Sequence, residues 1–277
     1  MRSRLVGLTM AACAAAALIA VAVMPVSGQA PAYKAPRTKD GKPNLNGVWQ
    51  TNNEANWNIV PHSASQGPVL ALGAAYSVPA GLGVVDGELP YTAAAAAKQK
   101  ENFANRMKLD PEIKCYMGGV PRATYMPYPF QIIQGTQQIM IAYEYAGAVR
   151  TINMGKPVEA PADFWMGWSN GHWDGESLVV DVTGMNDQTW FDRAGNFHSD
   201  AMKVTERYTA ISPDAMTYEA TIDDPKTFTK PWKMSMPVYR RLEKNAQIIE
   251  YKCVEFAEEV LYGHLRKQPI QGKGDSK

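Results

Sequence analysis

Cysteine and histidine are scarce in this 277-residue sequence, which has three cysteines and four histidines, and its formal net charge is only +1. It contains no CxxC pair and no Cys/His spacing suited to zinc, so we predict no metal site. Glycine-rich phosphate loops and dinucleotide fingerprints are missing as well, so we predict no cofactor. The 28 Lys and Arg residues nearly balance the 27 Asp and Glu residues. No net field is therefore available to attract nucleic acid or an anionic membrane surface, and nucleic acid is not an expected partner.

The N-terminal segment has the order of parts found in a secretory signal peptide. Two arginines precede an uncharged apolar stretch from Leu5 to Met24, and Pro25 and several small residues follow. We therefore predict a signal peptide over residues 1–28 and a periplasmic or secreted protein. An uncleaved anchor is the alternative, because about twenty apolar residues can cross a bilayer. We favour cleavage, which leaves no stable membrane insertion, because the residues after Met24 are typical of a cleavage region.

Two cysteines remain after cleavage, Cys115 and Cys253. An even pair in an oxidising compartment is a candidate disulfide, and two buried free thiols are the alternative. The export signal favours the disulfide.

The sequence after Tyr125 alternates between apolar and polar residues in short segments separated by turn residues. This pattern predicts a mainly β protein, an antiparallel meander that closes into a barrel or sandwich. Asn170-Gly171 and Asp174-Gly175 are strong signals for hairpin turns. The predicted strands cover residues 45–51, 130–134, 137–145, 148–154, 164–169, 177–182, 202–211, 216–222, 232–241 and 247–255.

The predicted organisation is one domain with extensions. Residues 29–44 form an extended lead-in, and residues 45–268 form the domain. Within it, residues 52–124 are a long irregular excursion that contains one helix over residues 91–108, indicated by its alanine run and charged face. Residues 269–277 are predicted to be a disordered tail.

A short motif on the first predicted strand resembles a known family. Gly47-Val48-Trp49 is similar to the G-x-W signature of lipocalins and the wider calycin barrels, in which the Trp plugs one barrel end and a late Arg packs across it. Arg240 or Arg241 would take that part here. The segment Gly41–Trp49 also resembles the opening of a group of exported bacterial proteins, Gly-Lys-Pro-(Asp/Asn)-Leu-x-Gly-x-Trp. The resemblance implies a lipocalin-like barrel that holds a hydrophobic ligand, and it implies no particular reaction.

Residues 186–200 form the densest polar stretch of the sequence and lie between two predicted strands. Hairpin connections usually need about two to five residues, so this one is disproportionately long. A histidine oriented by an aspartate can perform general acid–base chemistry, and His198 with Asp192 or Asp187 offers that pair. The candidate ligand-binding side chains in this stretch are Trp190, Phe191, Phe197 and Arg193.

Two other interpretations of residues 186–200 stay open. The stretch could be a self-packed loop whose Asp and Asn side chains satisfy backbone amides. It could also hold a metal, although carboxylate-rich metal loops need closer ligand spacing than these residues have.

Other strands supply further candidates. Glu206 shares a face with Met202, Val204 and Tyr208, and it becomes an interior carboxylate with a possible catalytic role if that face points inward. Tyr143 and Trp173 are further candidate ligand-binding residues. An exposed position at the sheet edge or barrel rim is the alternative for such residues.

Gly167-Trp168-Ser169-Asn170-Gly171 matches the G-x-S-x-G pattern of serine hydrolases. That pattern has meaning only on a strand-to-helix elbow in a parallel sheet, whereas the sequence here predicts a β-turn and another strand. We therefore interpret the match as a coincidence.

Three functions follow in order of preference. The first is an exported β-barrel that binds a hydrophobic or aromatic small molecule. The second is a cofactor-free acid–base enzyme, such as a lyase, hydratase or isomerase, that uses His198 on a hydrophobic substrate. The third is a serine hydrolase that acts through Ser169. The sequence leaves open whether the protein is an enzyme, because fold alone does not decide function.

Overall fold

Within the described residues, nine β-strands form one closed barrel. Neighbouring strands pair in an antiparallel manner, except that β4 and β5 are parallel. Pairing of β1 with β9 closes the barrel. The strands are β1 (Gly47–Thr51), β2 (Phe130–Gln134), β3 (Gln138–Tyr143), β4 (Val149–Asn153), β5 (Trp168–Asp174), β6 (Ser177–Thr183), β7 (Lys203–Ser212), β8 (Ala215–Asp223) and β9 (Trp232–Arg240). The mainly β barrel is as the sequence predicts.

This computed structural model describes residues 33–67, 77–262 and 264. The predicted signal peptide at 1–28 and the predicted tail at 269–277 lie outside the described residues, as does the start of the predicted lead-in at 29–44. The helices are α1 (Ala93–Ala104), α2 (Arg106–Leu109), α3 (Arg122–Tyr125) and α4 (Ala257–Tyr262). None of the helices in these ranges is long and apolar enough to cross a membrane.

Alternation of side chains builds the core. In β7 and β8 every second residue is buried, which places Val204, Glu206, Tyr208 and Tyr218 inside the barrel. Successive strand residues point to opposite faces of a sheet, so the period-2 sequence pattern directly gives this interior.

The predicted helix over 91–108 is two helices rather than one. The side chain of Thr92 accepts a hydrogen bond from the Ala95 N–H and thereby begins α1. At Asn105 the backbone leaves the helical region, and α2 follows directly. Asparagine competes with the helix through its own side chain, which here donates to the Glu101 carbonyl.

Three predictions about the strands are wrong. The predicted strand over 164–169 overlaps β5 only at Trp168 and Ser169. Asn170-Gly171 is not a turn but part of β5, and the turn lies at Asp174-Gly175, the second predicted site. Residues 247–255 form no strand. Because β9 is already paired with β8 on one side and with β1 on the other, no barrel edge is left for them.

The parallel pairing of β4 with β5 breaks the predicted meander. Parallel neighbours need a crossover connection, and residues 154–167 supply it by returning along the barrel. The Asn170 side chain fixes this crossover, because its amide both donates to the Val158 carbonyl and accepts from the Val158 N–H, each at 2.9 Å. Farther along, the Phe164 N–H donates to the Gly184 carbonyl at 2.8 Å.

Trp49 and Arg240 form a cation–π contact. The two residues are register partners on β1 and β9, and the Arg240 guanidinium carbon lies 4.1 Å from the centre of the Trp49 ring. The indole N–H of Trp49 donates to the Leu45 carbonyl at 2.9 Å. This is the contact that the lipocalin resemblance implies. Arg240 makes it, whereas Arg241 lies at the surface and pairs with Glu243.

A disulfide joins Cys115 to Cys253 across a sequence separation of 138 residues, as predicted. It ties the segment after β9 to the excursion between β1 and β2. Backbone contact supports the same attachment, because the Phe256 N–H donates to the Ile113 carbonyl at 2.9 Å.

Candidate functional site

The 186–200 stretch packs on the excursion between β1 and β2. Asp192 is completely buried, and its carboxylate accepts hydrogen bonds from the backbone N–H groups of Ile59, Ala194 and Asn196 and from the Asn196 side chain. Burial raises the pKa of Asp192 to about 6, although these hydrogen bonds oppose the shift. This is the geometry of the self-packed loop, in which the carboxylate satisfies backbone amides.

His198 is not held by an aspartate, which corrects the predicted pairing. Its Nε2 lies 2.7 Å from the Thr189 hydroxyl, and its Nδ1 lies 2.9 Å from the Ser199 carbonyl oxygen. The side chain is 2% exposed, and burial lowers the pKa of the ring. Asp192 is bound elsewhere, and Asp187 is exposed. Because both ring nitrogens have protein partners, His198 has the contacts of a structural residue.

The other predicted residues of this stretch also pack inward or pair locally. Phe191 is buried and lies edge-on to Trp232, with ring centres 5.3 Å apart. Trp190 is 8% exposed, and its backbone forms an isolated antiparallel β-bridge with that of Phe197. Arg193 pairs with Glu112, its Nε donating at 2.7 Å. These residues do not line a common pocket with His198.

The barrel interior contains a polar cluster around Glu206. This predicted carboxylate is fully buried and forms a two-point ion pair with Arg150, whose Nη1 donates to Oε1 at 3.1 Å and whose Nη2 donates to Oε2. The hydroxyls of Tyr208 and Tyr218 donate to the same Oε1 at 3.0 and 2.8 Å. Tyr143 is buried as well, and burial raises the pKa of its hydroxyl. The sequence correctly predicts the interior position of Glu206 but does not identify its partner Arg150.

An open cleft of about 570 Å³ lies where β4 and β5 separate. Backbone pairing between these strands comprises Ile152 with Ser169 and Asn153 with Asn170. Two residues before the Ile152–Ser169 pair in this register, Arg150 would face Gly167, but Gly167 has a φ of +64° and turns the chain away. Residues of the crossover between β4 and β5 line the cleft on one side. Apolar walls come from Met117, Val149, Val158, Phe164, Trp165, Met166 and Trp168.

Two inward-facing polar residues form the floor of this cleft. The Nε of Arg150 donates to the Ser169 hydroxyl oxygen at 2.8 Å, and this bond links β4 to β5 where the backbone ladder has ended. Both residues are at least 97% buried. Ser169, the serine of the G-x-S-x-G match, is therefore bound to an arginine on a strand, and none of its described contacts is with a histidine.

The indole N–H of Trp168 is buried at the cleft and has no acceptor among the described residues. Leaving a buried donor unpaired costs about 1–3 kcal/mol. Trp173, the predicted ligand-binding tryptophan on the same strand, does not line this cleft. Sequence reasoning missed Trp165 and Trp168 because residues 164–169 were interpreted only as a strand.

No protein family and no curated protein matches this chain in a comparison with known proteins. Among residues 33–67, 77–262 and 264, no group of three or more His, Cys, Asp or Glu side chains is arranged to hold a metal ion. The chemistry of the cleft is therefore the basis for assigning a function.

Proposed function

We propose that the protein is an exported β-barrel that binds a hydrophobic or aromatic small molecule in the cleft between β4 and β5. The observation that carries the proposal is the apolar cleft itself, about 570 Å³ in volume, with Arg150 and Ser169 at its floor. Ligand sites in proteins are typically concave, mostly apolar and about 300–1,000 Å³ in size, with a few polar groups that orient the ligand.

The charge state of the floor favours an uncharged ligand. Arg150 is the positive group at the cleft, and Glu206 already neutralises it from inside the barrel. An anionic ligand would therefore meet a net-neutral pair and would lose its hydration without gaining a free counter-charge. A neutral aromatic molecule with a hydrogen-bond acceptor fits better, because the Trp168 N–H can donate to it.

Export is supported by two independent features. The N-terminal sequence has the parts of a signal peptide. The Cys115–Cys253 disulfide is compatible with an oxidising compartment, where such bonds form and persist.

Calorimetric titration with 2-acetylnaphthalene, a neutral aromatic ketone, tests the proposal. We expect saturable binding to the wild-type protein. Val149→Asp should weaken it at least tenfold, or by about 1.4 kcal/mol, because it places a charge on the apolar wall of the cleft.

Ile211→Asp is the matched control. Val149 and Ile211 are strand residues with similar exposure, 55% and 50%, but Ile211 does not line the cleft. The control should bind the ketone as the wild type does. Equal affinity of the wild type and Val149→Asp would refute the site, and absence of saturable binding would refute the proposed ligand class.

A further inference from the structure

A second cavity, of about 260 Å³, lies outside the barrel. It is bounded by the excursion, by the two helices α1 and α2, and by the 186–200 stretch. Trp57, Val78, Phe103 and Met107 provide apolar surface. The wall also has polar groups, namely His62, Arg106, Asp110 and Arg193. The cavity is smaller than the β4–β5 cleft and shares no lining residue with it.

The buried charges next to this cavity are balanced in pairs. Arg122 donates to Asp110 at 3.3 Å and to Glu112 at 2.7 Å. Arg193 also pairs with Glu112, and its guanidinium lies 4.1 Å from the Trp57 ring centre. Two arginines thus face two carboxylates, and this cluster has no net charge.

Arg106 is the additional cation. Its guanidinium donates to the Phe103 carbonyl at 2.8 Å and lies 4.3 Å from the Phe103 ring centre. No carboxylate of the described residues lies within ion-pair distance of it. Burial lowers the pKa of Arg106, which is the effect expected of a guanidinium that has lost water without gaining a counter-ion. An anion in the cavity would supply the counter-charge.

His62 lines the same cavity and has one ring nitrogen without a partner among the described residues. Its Nδ1 lies 2.8 Å from the Val60 carbonyl oxygen, so in the neutral ring the proton is on Nδ1 and Nε2 is the acceptor. That Nε2 is buried and has no partner among the described residues. A donor such as a hydroxyl group would satisfy it.

We propose that this outer cavity binds a compact aromatic monocarboxylate that carries a hydroxyl group. Arg106 holds the carboxylate, His62 Nε2 accepts from the hydroxyl, and the ring lies among Trp57, Phe103 and Met107. A guanidinium pairs with a carboxylate through charge-assisted hydrogen bonds, the strongest kind available to a small ligand. The proposal is independent of the β4–β5 cleft, which suits an uncharged molecule.

Calorimetric titration with 4-hydroxybenzoate tests this second site. On the wild-type protein we expect saturable binding, and at least tenfold weaker binding of 4-hydroxybenzyl alcohol, which lacks the charge. Benzoate, which lacks the hydroxyl, should also bind more weakly than 4-hydroxybenzoate. His62→Phe should remove that preference. These ligand comparisons on the wild-type chain do not depend on the folding of a variant.

Arg106→Gln should weaken 4-hydroxybenzoate binding at least tenfold, and Lys108→Gln is its control on the same short helix because Lys108 does not line the cavity. Val149→Asp, in the other cleft, should leave this binding unchanged. The proposal is overturned if 4-hydroxybenzoate shows no saturable binding at millimolar concentrations, or if Arg106→Gln binds it as the wild type does. Loss of binding in Val149→Asp would assign the ligand to the β4–β5 cleft instead.

Discussion

Arg150 on β4 and Glu206 on β7 form a two-point ion pair inside the barrel, and Arg150 is also at the floor of the cleft. The residues are 56 positions apart in sequence. Their contact joins β4, a strand of the parallel β4–β5 pair, to β7 across the barrel interior. The pair therefore both supports the fold and sets the charge at the proposed binding site.

Breaking this pair should strongly destabilise the protein. Arg150→Met leaves the Glu206 carboxylate buried without its cation, and we expect the free energy of unfolding to fall by about 3–5 kcal/mol. Urea unfolding measures this change. The double variant Arg150→Met/Glu206→Leu should recover part of the loss, because it removes the remaining charge. A single variant that is as stable as the wild type would contradict the structure of this cluster.

Asp192 should make the protein less stable as the pH rises. Its folded pKa of about 6 is above the unfolded value of 3.8, so its protonated form favours folding. That contribution is complete below about pH 4 and is lost as the pH rises through about 6, a change on the order of 3 kcal/mol. Relative to Asp192→Asn, the wild type should therefore lose stability between these values.

Urea unfolding across this pH range measures the difference, with the exposed Asp187→Asn as control. The control should be as stable as the wild type at neutral pH, because Asp187 is exposed. A wild-type advantage over Asp192→Asn that grows with pH would show that the hydrogen bonds to the carboxylate outweigh its burial.

His198 should make the protein less stable as the pH falls. Burial lowers its folded pKa below the unfolded value of 6.5, so its contribution is present above about pH 6.5 and is lost as the pH falls through the folded pKa. His198→Asn should cost about 1–3 kcal/mol at neutral pH through the lost bonds to Thr189 and Ser199. Binding of 2-acetylnaphthalene should be unchanged.

The exposed His172→Asn on β5 is the control for this experiment. It should leave the free energy of unfolding at neutral pH unchanged. A catalytic role for His198 would be supported instead if His198→Asn abolished a measured turnover while the melting temperature stayed constant.

Reduction of the Cys115–Cys253 bond should destabilise the folded protein. The bond closes a loop with a sequence separation of 138 residues, and the chain-entropy treatment gives a cost on the order of 5 kcal/mol for its loss. Urea unfolding of the Cys115→Ala/Cys253→Ala variant measures it. Labelling that finds two free thiols in protein purified from an oxidising compartment would contradict the disulfide.

Local patterns predicted most strands, because strand alternation has a period of two residues and is visible in any short window. The β2 range is as predicted, at 130–134. The parallel pairing of β4 with β5 was not predictable from local patterns. Asn170-Gly171 is a strong turn signal, but the Asn170 amide instead pairs with Val158, twelve positions earlier in the chain.

The site was harder to predict than the fold because its partners are distant in sequence. Glu206 was placed in the interior from its own strand, whereas Arg150 on another strand was not recognised as its partner. In the 186–200 stretch, the density of polar residues suggested catalysis. The same Asp192 satisfies backbone amides equally well, and sequence alone does not distinguish the two roles.

The indole N–H signal of Trp168 in a proton–nitrogen NMR spectrum shows whether an aromatic ligand binds in the β4–β5 cleft. The signal can be assigned by its loss in Trp168→Phe, among the indole signals of the seven tryptophans. On titration with 2-acetylnaphthalene, we expect a saturable shift of the Trp168 signal, because the indole of Trp168 lines the cleft and its N–H can donate to the ketone oxygen. A Trp168 signal that stays fixed while the ketone binds would contradict the assignment of the ligand to the β4–β5 cleft.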